Sequence, residues 1–276
     1  MTSAEDNNVL DTKLDRIIRR LLNADPDDVI VVNPTERTIS EFVGVVSESG
    51  DDLPRIKLIA KRSTLRSVMN DFIVASHAAD LIDRGALSIR MVEETRENSL
   101  LITRESVVAL ADTGTSVGGL TTDDQEFIDD AFGAYSDMFE NADEYSLRTP
   151  PISRVRKTLA RDIDPSAERD LNEMLDSLET ARGDGDGLDE VTISLLVAAK
   201  NDILLYDISR WGEDTGIASK ATFSRTKTKL EDIGIIDTEK VPIEVGRPRL
   251  RLKLADDRLK DADSGQLATV ASSIIG

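Results

Sequence analysis

Six residues late in the sequence, Arg249-Leu250-Arg251-Leu252-Lys253-Leu254, leave the backbone little choice. Cationic and leucine side chains alternate strictly. Only an extended strand, with its two-residue period, sends one set to solvent and the other to a core. Gly246-Arg247-Pro248 precedes the run and reads as a hairpin tip, so Ile235–Val245 is its partner strand. The pair is too small to bury its own leucines and must rest on a helical layer.

Three short helices lie immediately upstream, at Glu190–Lys200, Ile203–Gly212 and Ser219–Ile233. Gly216-Ile217 sits between the second and third, and Ser219 is placed as an N-cap. A turn glycine, a buried apolar residue and a cap launch the second helix of a helix-turn-helix. On the third helix Phe223, Leu230 and Ile233 form the inward face. Ser219, Lys220, Ala221, Ser224, Arg225, Thr228 and Lys229 lie outside it. Small residues there admit a duplex into contact, and an arginine forks onto guanine O6 and N7. Arg247, Arg249 and Arg251 on the hairpin suit phosphates or a minor groove. Residues 187–260 therefore read as an α+β winged helix-turn-helix whose partner is double-stranded promoter DNA. The competing reading is an adaptor that docks its wing on a protein.

The overall charge opposes DNA binding at first sight, with 53 acidic residues against 34 basic and a net −19. Residues 217–254 reverse the balance, holding nine basic side chains and five acidic ones. Beyond a Debye length exposed charges are screened, so this local excess is what a duplex would meet, provided the cations line one exposed surface.

Upstream, short apolar runs alternate with helical patterns. DVIVV at 28–32, RIKLIA at 55–60 and Leu87–Val92 read as strands; 10–22, Thr38–Ser47 and 64–84 read as helices. Strand–helix–strand order implies a small parallel or mixed sheet joined by right-handed crossovers. SLLITRESVVALA at 99–111 adds two strands turning near Arg104-Glu105. Gly114, Gly118 and Gly119 mark a loop, and Asp123–Asn141 is an amphipathic helix. Pro150-Pro151 closes this domain. Two helices follow at Val155–Ile163 and Ser166–Ala181, then GDGDG at 183–187, a linker lacking the closing Glu of a calcium loop. The Leu171/Met174/Leu175/Leu178 stripe suits either a homodimer contact or packing within the chain. The sequence thus divides into an α/β sensor domain at 1–146, connecting helices and linker at 147–186, the winged helix at 187–260 and a C-terminal tail at 261–276.

Chemistry is sparsely represented. There is no cysteine, so no disulfide, thiol catalysis or cysteine metal site, and the single histidine, His77, begins no His-x-Lys motif. No Walker loop, nucleophile elbow or His-Glu-x-x-His is present, so neither enzyme activity nor a cofactor or metal is expected. Without an apolar run of 18 residues or a signal-like start, the chain is read as cytoplasmic, with no membrane partner. Ligands of open parallel sheets sit at the strand carboxyl ends. There Thr35 and Arg37 follow the first strand, and Arg62, Ser63, Thr64 and Arg66 follow the second. Hydroxyls and bases at helix starts suit an anionic small-molecule effector.

The 189–254 segment resembles archaeal winged-helix regulators, which share a Gly-Arg-Pro wing and a Leu-x-x-x-Gly-Ile-Ile passage, here Leu230, Gly234, Ile235 and Ile236. The N-terminal strand order resembles the phospholipase-D-like sensor domain of TrmB-type sugar-responsive regulators, with the domain order reversed. The acids favour Asp (34 of 53) and the bases Arg (23 of 34), a bias that resembles salt-in halophiles. Together these features look like the haloarchaeal TbsP family. That resemblance implies a transcription regulator linked to central carbon metabolism.

Overall fold

The computed structural model describes residues 11–50, 52–94, 98–182, 188–244 and 248–275. They form two compact units, Met1–Asn70 with His77–Leu147, and Asp71–Ser76 with Arg148–Gly276.

The first unit is built on a seven-stranded mixed sheet. Along the chain it runs α1 (Leu14–Leu22), β1 (Asp28–Val32), α2 (Glu36–Glu48), β2 (Arg55–Lys61), α3 (Arg62–Val68), the part of α4 (Phe72–Asp83) from His77 onward, and β3 (Leu87–Val92). It continues through β4 (Ser99–Ile102), β5 (Val107–Asp112), β6 (Val117–Thr122), α5 (Gln125–Asn141) and β7 (Asp143–Glu144). Strand order is β6-β5-β4-β1-β2-β3-β7. The central three strands are parallel, with Val31 opposite Leu58 and Leu58 opposite Ile89. Covered on both faces, β1 reads as a continuous apolar run because its three valines and one isoleucine have no solvent side. α5 packs on one face through Ile128, Tyr135 and Phe139. Ile17 of α1 lies against the other face, over β6.

Two elements differ from the sequence expectation. Of the glycines read as a loop, Gly114 lies in the turn between β5 and β6 with φ +84, but Gly118 and Gly119 belong to strand β6, antiparallel to β5. Gly119 is there because α1 comes close: a Cβ would stand 3.1 Å from both Ile17 Cδ1 and Val108 Cγ1. The expected helix at 64–84 is broken into α3 and α4. Asp71, 1% exposed, accepts from Ile73 N at 3.0 Å and Ala181 N at 3.2 Å, and Phe72 N donates to Ala181 O. These bonds end one helix and start the next.

The second unit contains α6 (Ile152–Asp162), α7 (Pro165–Ser177), α8 (Glu190–Lys200), α9 (Leu205–Thr215) and α10 (Lys220–Asp232). After them come β8 (Ile236–Val241), β9 (Arg249–Leu254), α11 (Asp257–Lys260) and α12 (Ser264–Ile275). α8 is its axis. Every residue from Val191 to Ala199 is buried, as expected of a helix with no polar stripe. The α7 stripe is used inside the chain: Leu171, Met174 and Leu175 are buried in the same core as α8 and α12. Residues read as a tail include α12, which packs along α7. Asp170 ties the three helices by accepting from Asn201 Nδ2 and Ser264 Oγ, both at 2.6 Å. The linker GDGDG at 183–187 and Arg247 lie outside the described residues.

Candidate nucleic-acid interface

α8, α9 and α10 with the β8–β9 hairpin make the winged helix-turn-helix. α9 ends at Gly216 with φ +95, and the Ile217 amide returns to Gly212 O at 2.8 Å. This is the left-handed cap that only glycine adopts without strain. α10 then starts at Ser219, whose Oγ accepts from Thr222 N at 3.2 Å. The two helices meet without a gap, since a Cβ on Gly212 would lie 2.3 Å from the Phe223 ring. α10 ends in the same way as α9. Gly234 has φ +76, and Ile235 N donates to Leu230 O. The turn delivers Ile235 and Ile236 to the core, which is what the Leu-x-x-x-Gly-Ile-Ile passage encodes.

The outer face of α10 is as expected: Ala221, Ser224, Arg225, Thr228 and Lys229 are all exposed. The inner face differs by one residue. Phe223 and Leu230 are buried, but Ile233 is 40% exposed at the C-cap, and Lys227 takes the third inward position. Its ammonium is neutralised by Glu231, which also accepts from Thr238 Oγ1 at 2.9 Å. That pairing fastens the helix to the hairpin.

Register across the hairpin is fixed from Ile236↔Leu254 to Val241↔Arg249. A third short piece of strand joins β9: Leu204 bridges Arg251, and Leu252 N donates to Ile203 O at 3.0 Å. Leu252 is fully buried, and Arg249 and Arg251 lie on the alternate side.

The charge arrangement departs from a bare basic patch. Arg249 pairs with Asp207 at 3.7 Å, Arg251 with Glu239 at 3.6 Å and Lys253 with Asp202 at 2.8 Å. These cations keep 40%, 38% and 39% side-chain exposure, so they are paired without being buried. Lys220 meets Glu213 at 2.8 Å. The hydrogen bond from Lys220 holds the Glu213 carboxyl below its ordinary range and raises the ammonium in return. Arg225 instead bonds Ala221 O at 3.3 Å and Thr222 Oγ1 at 3.4 Å. Neither it nor Lys229 has a carboxylate partner among the described residues. Sequence reading missed Tyr206. It is 45% exposed, and its ring lies 4.3 Å from the Arg249 guanidinium. Its signal was position, an aromatic outside the Ile208/Trp211/Gly212/Thr215 stripe.

In the first unit, the ends of β1 and β2 open into a cleft of ≈ 410 Å³. Of the six residues expected to bind a ligand, Thr35 and Thr64 line it, joined by Lys61 and Asn33. Asn33 holds a left-handed backbone, φ +45. Thr35 caps α2 by accepting from Thr38 N at 3.1 Å. Arg37 pairs with Glu41 on its own helix and Arg62 with Glu93 at 2.9 Å. Arg66 lies near Tyr145, where it offsets part of the upward push that burial gives that phenol. Neither these three arginines nor Ser63 line the cleft. No cluster of His, Asp and Glu suited to a metal is present among the described residues, and no helix there is long and apolar enough to cross a membrane.

No curated protein matches the chain. The solved structure of TrmBL2, described as an archaeal chromatin protein with a novel mode of DNA binding, shares 13% identity at a TM-score of 0.36. Its alignment spans 52% of this chain and 56% of that one, and a likeness so low carries no argument. The family comparison is decisive. Residues 6–150 match the N-terminal domain of TbsP-like transcriptional regulators, and residues 151–272 match their C-terminal helix-turn-helix domain. The two matches adjoin at residue 150 and leave only a few residues at either end, and the chain belongs to the TbsP-like transcriptional regulators.

Proposed function

We propose that the second unit binds promoter DNA sequence-specifically, with α10 in the major groove and the hairpin against the backbone. The observation that carries this reading is the division of α10, whose buried face is Phe223, Lys227 and Leu230 and whose exposed face is Ala221, Ser224, Arg225, Thr228 and Lys229. Small side chains flank a guanidinium held by its own helix, the composition a base-reading face needs. Ser219 and Lys220 stand at the helix start, where phosphates are met. Arg247, Arg249 and Arg251 supply the wing contacts. The chain acts as a homodimer on pseudo-palindromic sites. Its first unit receives an anionic metabolite at the Thr35/Lys61/Thr64 cleft. The test is fluorescence anisotropy with promoter fragments at fixed salt. Arg225→Ala should weaken binding by about tenfold and relax base preference, for roughly 1–3 kcal/mol of discrimination. Arg247→Ala should weaken all sequences alike. Unchanged affinity in both variants would remove the assignment of helix and wing.

A second reading is supported by the carboxylates that already occupy Arg249, Arg251 and Lys253. In it the wing docks on a protein partner. Chromatin immunoprecipitation without discrete promoter peaks, alongside a stable protein complex, would select it.

A further inference from the structure

The effector cleft has an apolar neighbour. α5 packs over β1, β2 and β4 but leaves the outer part of its sheet face open. Across that face Leu100 stands opposite Ala109, and Ala109 opposite Leu120, in one row spanning three strands. Ala131, Ala134 and Phe127 of α5 face the row across a groove of ≈ 700 Å³. The alanines on floor and wall make it hollow. Leu120, 49% exposed, and Phe127, 54% exposed, are among the few large apolar side chains open to solvent among the described residues, and both line it. Volume and lining fall in the range of small-molecule sites, whose walls are apolar with a few placed polar groups.

The groove and the polar cleft share two lining residues, Asn98 and Ala109, so they adjoin. Their charges differ: the cleft holds one cation and one carboxylate, the groove, among the described residues, a carboxylate alone. Lys61 is the cation of the cleft and has no ion-pair partner among the described residues; Thr35 and Thr64 lie beside it. The cleft's carboxylate, Asp112, is engaged by the Gly114 amide at 2.7 Å. Among the described residues the groove is lined by Asp130 and by no cation. An anionic group is therefore disfavoured beside Asp130 and finds a cationic partner, Lys61, in the cleft, which orients a ligand that fills both.

We propose that the two recesses form one site for an amphipathic acid. Its hydrocarbon body lies over Leu100, Ala109 and Leu120, and its carboxylate or phosphate head meets Lys61, Thr35 and Thr64. This rests on the reading that the first unit receives an effector, and it supplies the ligand's chemical class. The test uses the full chain without DNA, by isothermal titration with decanoate, decyl phosphate, decanol and acetate. Decanoate or decyl phosphate should bind at least about tenfold more tightly than decanol, since only the acids can make a charge-assisted bond to Lys61. The tighter of the two acids assigns the head group. Acetate should not bind at the same concentrations. Ala131→Trp, which fills the groove, should weaken both acids by about tenfold or more. Leu120→Ser on the exposed lip is the milder version. Lys61→Met should leave the acids no better than decanol. Decanol binding as tightly as both acids, or acid binding indifferent to the groove and Lys61 variants, would overturn the proposal. A chain that binds decanoate but no promoter fragment would instead sink the regulatory reading and leave this one standing.

Discussion

Asp207→Asn combined with Glu239→Gln should tighten promoter binding by about 10–100-fold at 0.1 M salt, with the gain fading toward 1 M. The reason lies in the pairs Arg249–Asp207 and Arg251–Glu239. Each cation that neutralises a phosphate displaces a counterion from DNA and adds about 0.9 to the slope of log affinity against log salt. A guanidinium already held by a carboxylate gains less from a phosphate, and the carboxylate left beside it repels the backbone. The unaltered chain should therefore show a shallow slope for its number of basic contacts. Freeing two cations should steepen the slope by up to about 1.8. Anisotropy titrations across a potassium chloride series read both quantities. Identical slopes in the parent and the double variant would show that these carboxylates do not influence the contact.

The second large effect concerns Gly212, where a methyl group would meet the fully buried Phe223 ring at 2.3 and 2.4 Å. Gly212→Ala should destabilise the second unit by about 3 kcal/mol, at the upper end for overpacking, because the nearest atoms belong to a rigid ring with no free side to turn toward. DNA affinity should fall with it, since α9 and α10 would separate at their crossing. Gly133→Ala is the control. It also lies within a helix, α5, but nothing stands within 4 Å of its added Cβ. There the substitution should stabilise by about 0.5–1 kcal/mol, from helix propensity alone. Calorimetric melts of the two variants should move in opposite directions. A neutral Gly212→Ala would mean the helices can part at no cost.

Features with a local cause were legible in the sequence. Ser219, Gly216 and Gly234 act through their own backbone and immediate neighbours, so α10 and its two flanking turns were readable from spacing. The same holds for α8, whose apolar surround announces burial, and for the alternation of β9. Gly119 misled because its purpose is remote: a glycine that lets α1 approach looks, locally, like a glycine that breaks a strand. The 64–84 stretch misled for a related reason. Hydrophobic periodicity continues through Asp71, and what stops the helix is a bond to Ala181, distant along the chain. At the candidate interface the exposed face of α10 was visible, but the acids beside Arg249 and Lys253 were not. Asp207 and Asp202 are far away in sequence, and only folding brings them to the hairpin. In the first unit, two threonines at the strand ends were found, whereas the arginines beside them are drawn off by Glu41 and Glu93.

The place of Asp71–Ser76 in the second unit bears on how this protein can be dissected. A fragment beginning at Arg148 follows the obvious seam at Pro150-Pro151, yet it omits a strip of its own interior. Ala181 would lose both the amide and the carboxylate that hold it, Arg182 its counter-ion, and the core the Phe72 ring. The second unit is thus completed by residues translated long before it, and a gene cut at the seam would yield a module missing its keystone.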